Sequence, residues 1–327
     1  NLPKINYKKM KKTILLLVTV FTFSYVNAQN GSPSVKIFSN FNYDMSAKDN
    51  ADAFKAFEIK RSYLGYSYNI DDKLSTKITF DVGNNSSGSS YTAFLKIASV
   101  KWNASDNLSL NFGMVGAKNF KFMEKTWGRR YIQKSVLDKY KWANSADAGV
   151  TADYKFNDQI TIDAQILNGE GYKNTQSSNG LFRGSIGFIY KVMDNFSIRV
   201  SQDVSPRSSY DEMSEKQTIT TAALAYSTDN MTLGAETNMM NNVANVKDNE
   251  EELMSIYGSY KISNDYTLFA RYDDASETSR AGTYIVYGLE RKMAKGVTVA
   301  LNMQSWENDG EDSKAEETLF LSLEYKF

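Results

Sequence analysis

Apolar and polar residues alternate one by one along many segments of the chain, and short polar breaks separate these segments. Residues 297–304 are typical, because Val297, Val299, Leu301 and Met303 occupy every second position. A period of two with one apolar face predicts a β-strand. Segments of about ten residues repeated in this way are typical of a transmembrane β-barrel.

The polar breaks recur at regular intervals and have the composition of tight turns. Their central residues are 72, 106, 158, 194, 229, 264 and 295, with successive spacings of 34, 52, 36, 35, 35 and 31 residues. Asp, Asn and Gly suit such turns because they tolerate positive φ or bond to their own backbone. Each interval therefore predicts two strands and one longer loop.

The alternation predicts sixteen strands, joined by seven tight turns and eight longer loops. An even strand number with short turns on one rim is the arrangement of outer-membrane barrels, in which the short turns are periplasmic. We predict an all-β fold: a transmembrane antiparallel β-barrel of about 16 strands with short periplasmic turns and one long inward-folded loop. The strands are predicted near residues 34–45, 56–70, 74–84, 91–104, 108–118, 146–157, 160–170, 181–192, 196–205, 217–227, 231–242, 253–262, 266–274, 283–293, 297–306 and 317–327.

The first 28 residues have the composition of a cleaved targeting segment. Lysines at positions 8, 9, 11 and 12 precede an apolar run from Ile14 to Val26, and Ala28 ends a small-residue cleavage site. These are the parts of a secretory signal peptide. The run of 13 residues is shorter than the roughly 20 that a spanning helix needs, which disfavours a membrane anchor. We predict that residues 1–28 are upstream residues plus signal peptide, and that residues 29–327 form the barrel.

The composition excludes several classes of function. The chain of 327 residues contains no Cys and no His, so thiolate zinc sites, His-dependent catalytic pairs and imidazole ligands are absent. No phosphate-binding motif is present, and the Ser, Thr and carboxylate residues have no recognisable catalytic or metal-binding spacing. Residues 29–327 carry 33 basic and 38 acidic residues, which argues against a nucleic-acid partner. We predict no enzyme activity, no cofactor and no metal.

One predicted loop, residues 118–143, is both longer and more basic than the others, with eight basic residues against two acidic ones. Inside the lumen it would narrow the pore and concentrate anions. Left outside, it would be a solvated charge run. Ile132, Val136, Leu137 and Tyr140 have helical spacing, which favours a short amphipathic helix on the barrel wall or against another subunit. The anion-selectivity candidates in this loop are Lys118, Lys121, Lys125, Arg129, Arg130 and Lys134.

Three arginines on predicted strands complete the pore-lining candidates. Arg183, Arg199 and Arg271 fall on the polar, inward-facing positions of their strands, and a guanidinium group can bind phosphate or carboxylate through several donors. Acidic residues occupy inward-facing positions as well. An equally simple interpretation is therefore that these charged side chains of both signs only keep the lumen hydrated.

Aromatic residues mark two further features of the barrel. Tyr and Trp recur within a few residues of the tight turns, as at Tyr66, Trp102 and Tyr260, which predicts an aromatic girdle at one membrane interface. The chain ends on a predicted strand with Tyr325 and Phe327. A terminal aromatic residue resembles the signal that outer-membrane proteins present to their insertion machinery, so this pair is the predicted barrel-assembly signal.

Several short segments carry a resemblance to a known family. They are residues 57–61 leading into Leu64, residues 77–82, residues 113–118, residues 129–131 with Ser135, and residues 145–150. In these segments, and in its layout over most of residues 34–327, the chain resembles Bacteroidetes-type members of the phosphate-selective porin O and P family. The resemblance implies a sixteen-stranded, usually trimeric diffusion channel with an inward-folded loop. In that family, phosphate selectivity belongs to some members and depends on a dense ladder of basic residues.

Together these observations predict an outer-membrane porin for passive diffusion of small hydrophilic solutes, with an anion or phosphate preference set by residues 118–143. Neutralising Arg129, Arg130 and Lys134 together is expected to shift ion selectivity toward cations. The expected partners are outer-membrane lipid and lipopolysaccharide, the barrel-insertion machinery, further copies in a homotrimer, and small hydrophilic or anionic solutes. The alternative is a non-conducting outer-membrane barrel that acts in adhesion or partner binding through its acidic outer loops.

Overall fold

A closed antiparallel barrel of sixteen strands accounts for the alternating sequence. The computed structural model describes residues 30–47, 53–83, 91–176, 178, 180–207, 212–275, 277–310 and 313–327. The predicted signal peptide, residues 1–28, lies outside the described residues. Each strand pairs with its sequence neighbours, and β1 pairs with β16 to close the cylinder.

The strands agree with the predicted ones to within three residues at either end, so the predicted fold class is confirmed. The largest differences are at strand ends, where a turn or loop continues the pairing for a few residues; β12, for example, begins at Glu250 instead of residue 253. The strands are β1 (Gly31–Asp44), β2 (Lys55–Asn69), β3 (Leu74–Gly83), β4 (Thr92–Asn103), β5 (Leu108–Gly116), β6 (Ala146–Lys155), β7 (Ile160–Leu167), β8 (Arg183–Met193), β9 (Phe196–Ser205), β10 (Gln217–Ser227), β11 (Met231–Asn241), β12 (Glu250–Lys261), β13 (Tyr266–Asp274), β14 (Gly282–Ala294), β15 (Val297–Asn308) and β16 (Glu316–Lys326).

Five of the seven tight turns have a side chain at their start that accepts hydrogen bonds from the turn backbone; these side chains belong to Asp71, Ser105, Asn157, Thr228 and Ser263. The Asp71 carboxylate accepts hydrogen bonds from the N–H groups of Lys73 at 2.8 Å and Leu74 at 2.7 Å. Asn157 makes the same pair of bonds to the two backbone N–H groups that precede and begin β7. Asp, Asn, Ser and Thr favour such local bonds over a continued ladder, so the polar breaks reverse the chain.

The outward face of the barrel is apolar, as a lipid-facing surface requires. Leu301 on β15 is 54% exposed, and its partners across the sheet, Leu289 and Leu321, are also exposed. Near the tight turns this face carries exposed aromatic rings, including Trp102 and Tyr260. This arrangement matches the lipid-facing band and interfacial girdle of a membrane barrel.

We expect Leu301→Lys to lower the free energy of unfolding by about 2–4 kcal/mol, because it places a charge in the lipid-facing band near mid-strand. The change is measured by denaturant titration of the barrel in lipid vesicles. Thr232→Lys, next to a tight turn on β11, is the control and should cost much less. Equal stability of Leu301→Lys and the parent protein would contradict a lipid-facing position.

The longest connection, between β5 and β6, folds into the barrel. It contains two short helices, α1 (Lys121–Trp127) and α2 (Val136–Lys139). The predicted helix around residues 132–140 is thus a single turn, and α1 is an element that the sequence analysis did not anticipate. No helix among the described residues is long and apolar enough to cross a membrane.

The core of the molecule lies between this loop and the inner wall of β10–β15. Met123 and Leu137 pack with Ile219, Met240 and Leu253 of the wall. A second cluster joins the loop residues Trp127 and Ile132 to strands β1 and β12–β15. Burial of these side chains fixes the loop against one side of the lumen and leaves the opposite side to water.

Candidate pore and constriction

The wall beneath the loop carries buried charges that neutralise each other. Asp273 on β13 accepts hydrogen bonds from Arg271 Nε at 2.6 Å and Nη2 at 2.8 Å, from Ser255 Oγ at 2.7 Å, and from Lys139 Nζ at 3.1 Å. Both Arg271 and Asp273 are fully buried. A buried charge is tolerated only when it is paired and hydrogen-bonded, and this site meets both conditions.

The other two inward arginines are paired in the same way. Arg183 Nε donates to Asp203 Oδ1 at 2.6 Å, and Arg199 Nη2 donates to Asp163 Oδ1 at 3.0 Å. Arg183 also donates to the backbone carbonyl of Trp142, at the end of the loop, at 3.0 Å. The carboxylate pairs occupy both guanidinium groups, and the bond from Arg183 to Trp142 attaches the loop to the wall.

The central part of the loop is held by ion pairs as well. Arg129 Nε lies 3.3 Å from Glu290 Oε2 on β14, and Arg130 Nη1 lies 2.9 Å from Asp138 Oδ2. Lys134 Nζ lies 3.2 Å from the other oxygen of Asp138. Burial alone would raise the pKa of Asp138, but the nearby charges of Arg130 and Lys134 outweigh burial and hold the pKa below its usual value of 3.8.

Along β1–β7, the side of the lumen that the loop leaves uncovered contains three adjoining recesses, which together are called the passage. Three recesses of about 710, 300 and 400 Å³ follow one another from the tight-turn rim toward mid-barrel. The first two share Lys101 as a lining residue, and the last two share Lys77 and Ile97. The passage therefore runs between the loop and the wall that the loop leaves uncovered.

Lysines without carboxylate partners line this passage. Lys36, Lys77 and Lys101 lie on β1, β3 and β4, and Lys121 begins α1. All four are exposed, and none forms an ion pair with a carboxylate in the part of the chain that the structure describes. Lys118 also lines the passage but is paired with Asp153. Unpaired charge in a narrow, protein-walled passage produces a focused positive field.

Helix α1 separates its charged and apolar faces across the loop. Lys121 and Lys125 are four residues apart and exposed, whereas Met123 and Trp127 are buried against the wall. Residues at i and i+4 lie on the same helix face, so both lysines share the face that carries Lys121 into the passage. Because the apolar face of α1 packs against the wall, Lys121 and Lys125 are held on the face of the helix that is exposed to water.

The charges around Lys121 also act on one another. Partial loss of water around the ammonium group, which lies between the loop and the wall, lowers the pKa of Lys121 below its usual value of 10.5. The positive charges of Lys118, Lys77 and Lys101 lower it further, and Asp153 opposes them. A lysine with a lowered pKa loses its proton at a lower pH than an ordinary lysine does.

We therefore expect anion preference to decline as the pH rises through the alkaline range below 10.5, because Lys121 is deprotonated there. The measurement is the reversal potential of the reconstituted protein in a KCl gradient at successive pH values. Lys121→Arg keeps the charge, since arginine remains protonated throughout this range, and should remove the early part of the decline. An identical pH profile for Lys121→Arg would exclude Lys121 as its source.

A cluster of aromatic and charged groups narrows the passage at mid-barrel. The Lys96 ammonium lies 4.9 Å from the centroid of the Tyr63 ring and 5.1 Å from that of Tyr172. Tyr172 belongs to the β7–β8 loop, and its hydroxyl donates to Asp81 on β3. Asp81 is also paired with Arg61 at 3.1 Å. The β7–β8 loop thus reaches across the passage, and Tyr172 is the side chain that bridges it.

We expect Tyr172→Ala to raise single-channel conductance, because it removes the ring that spans the passage together with its bond to Asp81. Tyr172→Phe keeps the ring but loses the hydrogen bond, so its conductance should lie closer to that of the parent protein. Both values come from step sizes in planar bilayers. An unchanged step size for Tyr172→Ala would place the narrowest point of the pore elsewhere.

The structure divides the predicted pore residues into two groups. Lys118, Lys121 and Lys125 lie on the side of the loop next to the passage, whereas the arginines are paired. Three unpaired lysines, Lys36, Lys77 and Lys101, were missed by the sequence analysis. Their inward-facing strand positions are the feature of the sequence that could have identified them. At the barrel seam, Tyr325 and Phe327 are exposed on the outward face, with ring centroids 5.8 Å apart.

The described residues contain no group of three or more His, Cys, Asp or Glu side chains that could hold a metal ion. The passage presents ammonium groups, carboxylates such as those of Asp106 and Asp153, backbone and aromatic rings to its contents. This set of groups can attract and guide solutes electrostatically.

Solved structures of bacterial outer-membrane channels share this architecture. OprB from Pseudomonas putida is 10% identical with a TM-score of 0.70, and the match covers 94% of this chain and 96% of that one. An anion-selective porin from Comamonas acidovorans is 10% identical with a TM-score of 0.69, covering 91% and 99%. The trimer form of OmpT, an outer membrane protein of Vibrio cholerae, is 13% identical with a TM-score of 0.59, covering 91% and 99%.

No protein-family model and no curated protein sequence matches the chain. The structural likeness, at these identities, shows a shared sixteen-stranded porin-type fold.

Proposed function

We propose that this protein is a porin of the bacterial outer membrane, through which small hydrophilic solutes diffuse passively with a preference for anions. The observation that carries the proposal is the passage lined by the unpaired lysines Lys36, Lys77, Lys101 and Lys121. Positive charge along a pore favours anions over cations. The similarity in fold to an anion-selective porin supports the same function.

Within this proposal the predicted site residues have two roles. Lys121 and Lys125 contribute to the positive field, because they lie on the side of the loop that borders the passage. Lys118 also borders the passage, but Asp153 neutralises its charge. The six remaining candidates are occupied by ion pairs. Arg129 pairs with Glu290 of the wall, and Arg130 and Lys134 pair with Asp138 inside the loop. Arg183, Arg199 and Arg271 pair with carboxylates of the wall itself.

The preference concerns anions in general rather than phosphate alone. A lysine ammonium is a compact point charge, whereas the planar arginine fork matches the geometry of phosphate oxygens. The unpaired cations of the passage are lysines, and the guanidinium groups of the candidate arginines are paired with carboxylates. This arrangement supports electrostatic attraction without a fixed phosphate site.

The assembly and location form part of the same proposal. The apolar outward face is suited to membrane lipid, and the rings of Tyr325 and Phe327 at the end of β16 are positioned to act as the barrel-assembly signal. We propose contact with lipopolysaccharide and the insertion machinery, and a homotrimer like the trimer form of Vibrio cholerae OmpT. The proposed activity is diffusion without catalysis or cofactor.

The experiment that tests the function is conductance of the purified, folded protein in planar bilayers, together with swelling of vesicles in small uncharged solutes. Stable current steps and solute-dependent swelling are expected. Folding is verified separately by the shift in electrophoretic mobility on heating. Folded protein that gives neither current nor swelling would favour the non-conducting, partner-binding barrel.

A further inference from the structure

A fourth recess lies on the long-loop rim, apart from the three that form the lysine-lined passage. It has a volume of about 760 Å³ and is bounded by α2 and by the ends of β14 and β15. It shares no lining residue with the three recesses of the passage. Its volume falls within the range of about 300–1,000 Å³ that small-molecule sites occupy.

Aromatic rings form the inner surface of this recess. Tyr140 and Trp306 have ring centroids 6.2 Å apart, with their planes at 50° to each other, and Tyr284 lies beside them. Tyr140 and Tyr284 are buried, so the partly exposed indole of Trp306 is the ring that the recess presents to a ligand. The indole N–H of Trp306 donates to Asn308 Oδ1 at 2.6 Å, which fixes the orientation of the indole.

The charges at the recess are balanced. Lys139 Nζ lies 3.1 Å from Asp273 Oδ2 and 3.2 Å from the Tyr140 hydroxyl oxygen, and the ammonium is 3.0 Å from the centroid of the Tyr284 ring. At the rim, exposed Arg280 and Asp309 carry opposite charges. Because the positive and negative charges at the recess balance, it does not attract an ion of either sign, and a neutral ligand is favoured.

Hydrogen-bonding groups surround the aromatic surface. Ser279 supplies a hydroxyl group, Arg280 supplies hydrogen-bond donors, and Asp309 supplies acceptors. The indole of Trp306 bonds to the amide oxygen of Asn308, so the amide N–H₂ group of Asn308 remains available as a donor. A pyranose ring has an apolar C–H face that stacks on an aromatic ring and hydroxyl groups that both donate and accept. An aromatic surface surrounded by hydrogen-bond donors and acceptors therefore suits both the apolar face and the hydroxyl groups of a sugar.

We propose that this recess binds neutral oligosaccharides at the long-loop rim of the barrel. One sugar ring stacks on Trp306, and its hydroxyl groups bond to Arg280 and Asp309. Binding at this site requires no conduction through the passage, so it stands independently of the proposed porin function.

The test is isothermal titration of the purified full-length barrel, in a detergent without a sugar headgroup, with maltotriose, cellotriose and xylotriose. Saturable binding of at least one trisaccharide is expected, with no comparable binding of sorbitol or inorganic phosphate. Absence of saturable binding for all three sugars overturns the proposal, and so does equal binding of sorbitol or phosphate.

Two variants locate the binding to the recess. Trp306→Ala should weaken binding about tenfold through the loss of one stacking surface, and Trp102→Phe, on the lipid face, is its control. Because Trp306 also packs against the loop, the exposed pair Arg280→Ala with Asp309→Ala provides a second test that leaves the core intact. Asp248→Asn on the same rim is the control for that pair. Unchanged affinity in both recess variants overturns the assignment.

Discussion

Replacing Lys77, Lys101 and Lys121 together with glutamine is expected to abolish most of the anion preference of the channel. A unit charge about 4 Å from a passing ion contributes about 1 kcal/mol even in water. Three such charges outweigh the differences between small monovalent ions. Lys36, Asp106 and the paired Lys118 and Asp153 remain along the passage in this variant, so most of its unpaired positive charge is lost. The permeability ratio of chloride to potassium, obtained from reversal potentials, measures the change.

The control for this experiment removes the same charge elsewhere. Lys216, Lys247 and Lys314 are exposed lysines in long-loop segments, and their replacement by glutamine leaves the passage unchanged. Salt screens charges beyond about 10 Å at 0.1 M ionic strength, so this control should retain the parent selectivity. Equal loss of selectivity in both triple variants would show that overall charge, and not the passage, sets the preference.

Asp273→Ala is expected to lower the free energy of unfolding by about 3–5 kcal/mol, because it leaves the buried guanidinium of Arg271 without its charge partner. The same carboxylate holds Lys139 of the loop at 3.1 Å and Ser255 at 2.7 Å. Loss of stability should therefore be accompanied by release of the loop. Denaturant titration measures the first effect, and the rate of tryptic cleavage after Arg129 and Arg130 measures the second.

Two further substitutions separate charge from shape at this position. Asp273→Asn keeps the size and part of the hydrogen bonding, so its stability should fall between that of Asp273→Ala and the parent. Asp229→Ala changes an exposed carboxylate in a tight turn and should leave loop cleavage unchanged. A stable Asp273→Ala variant with a protease-resistant loop would show that apolar packing alone holds the loop.

The strands could be predicted from the sequence because a barrel imposes one rule on almost every residue. Lipid requires apolar side chains on one face and the lumen accepts polar ones on the other, so each strand repeats the same alternation. Turn-forming residues such as Asp71 and Asn157 then mark where the alternation reverses. Local chemistry decides both features, and no long-range information is needed.

The pairing of luminal charges could not be predicted in this way. The alternation of inward and outward positions along each strand places both Arg271 and Lys77 on the inward face. It does not show that the loop covers Arg271 and leaves Lys77 exposed to water. Coverage depends on where α1 and α2 pack, which is a contact across the barrel. The buried positions of α1, Met123 and Trp127, do have helical spacing, but they are too few to identify a helix in so basic a segment.

The measurement that tests the central claim most directly is the reversal potential of the unmodified protein in planar bilayers under a KCl gradient at neutral pH. A passage lined by Lys36, Lys77, Lys101 and Lys121 predicts stable current steps with a reversal potential displaced toward that of chloride. A reversal potential displaced toward that of potassium would contradict the account, because it would show that the permeating ions do not pass these lysines.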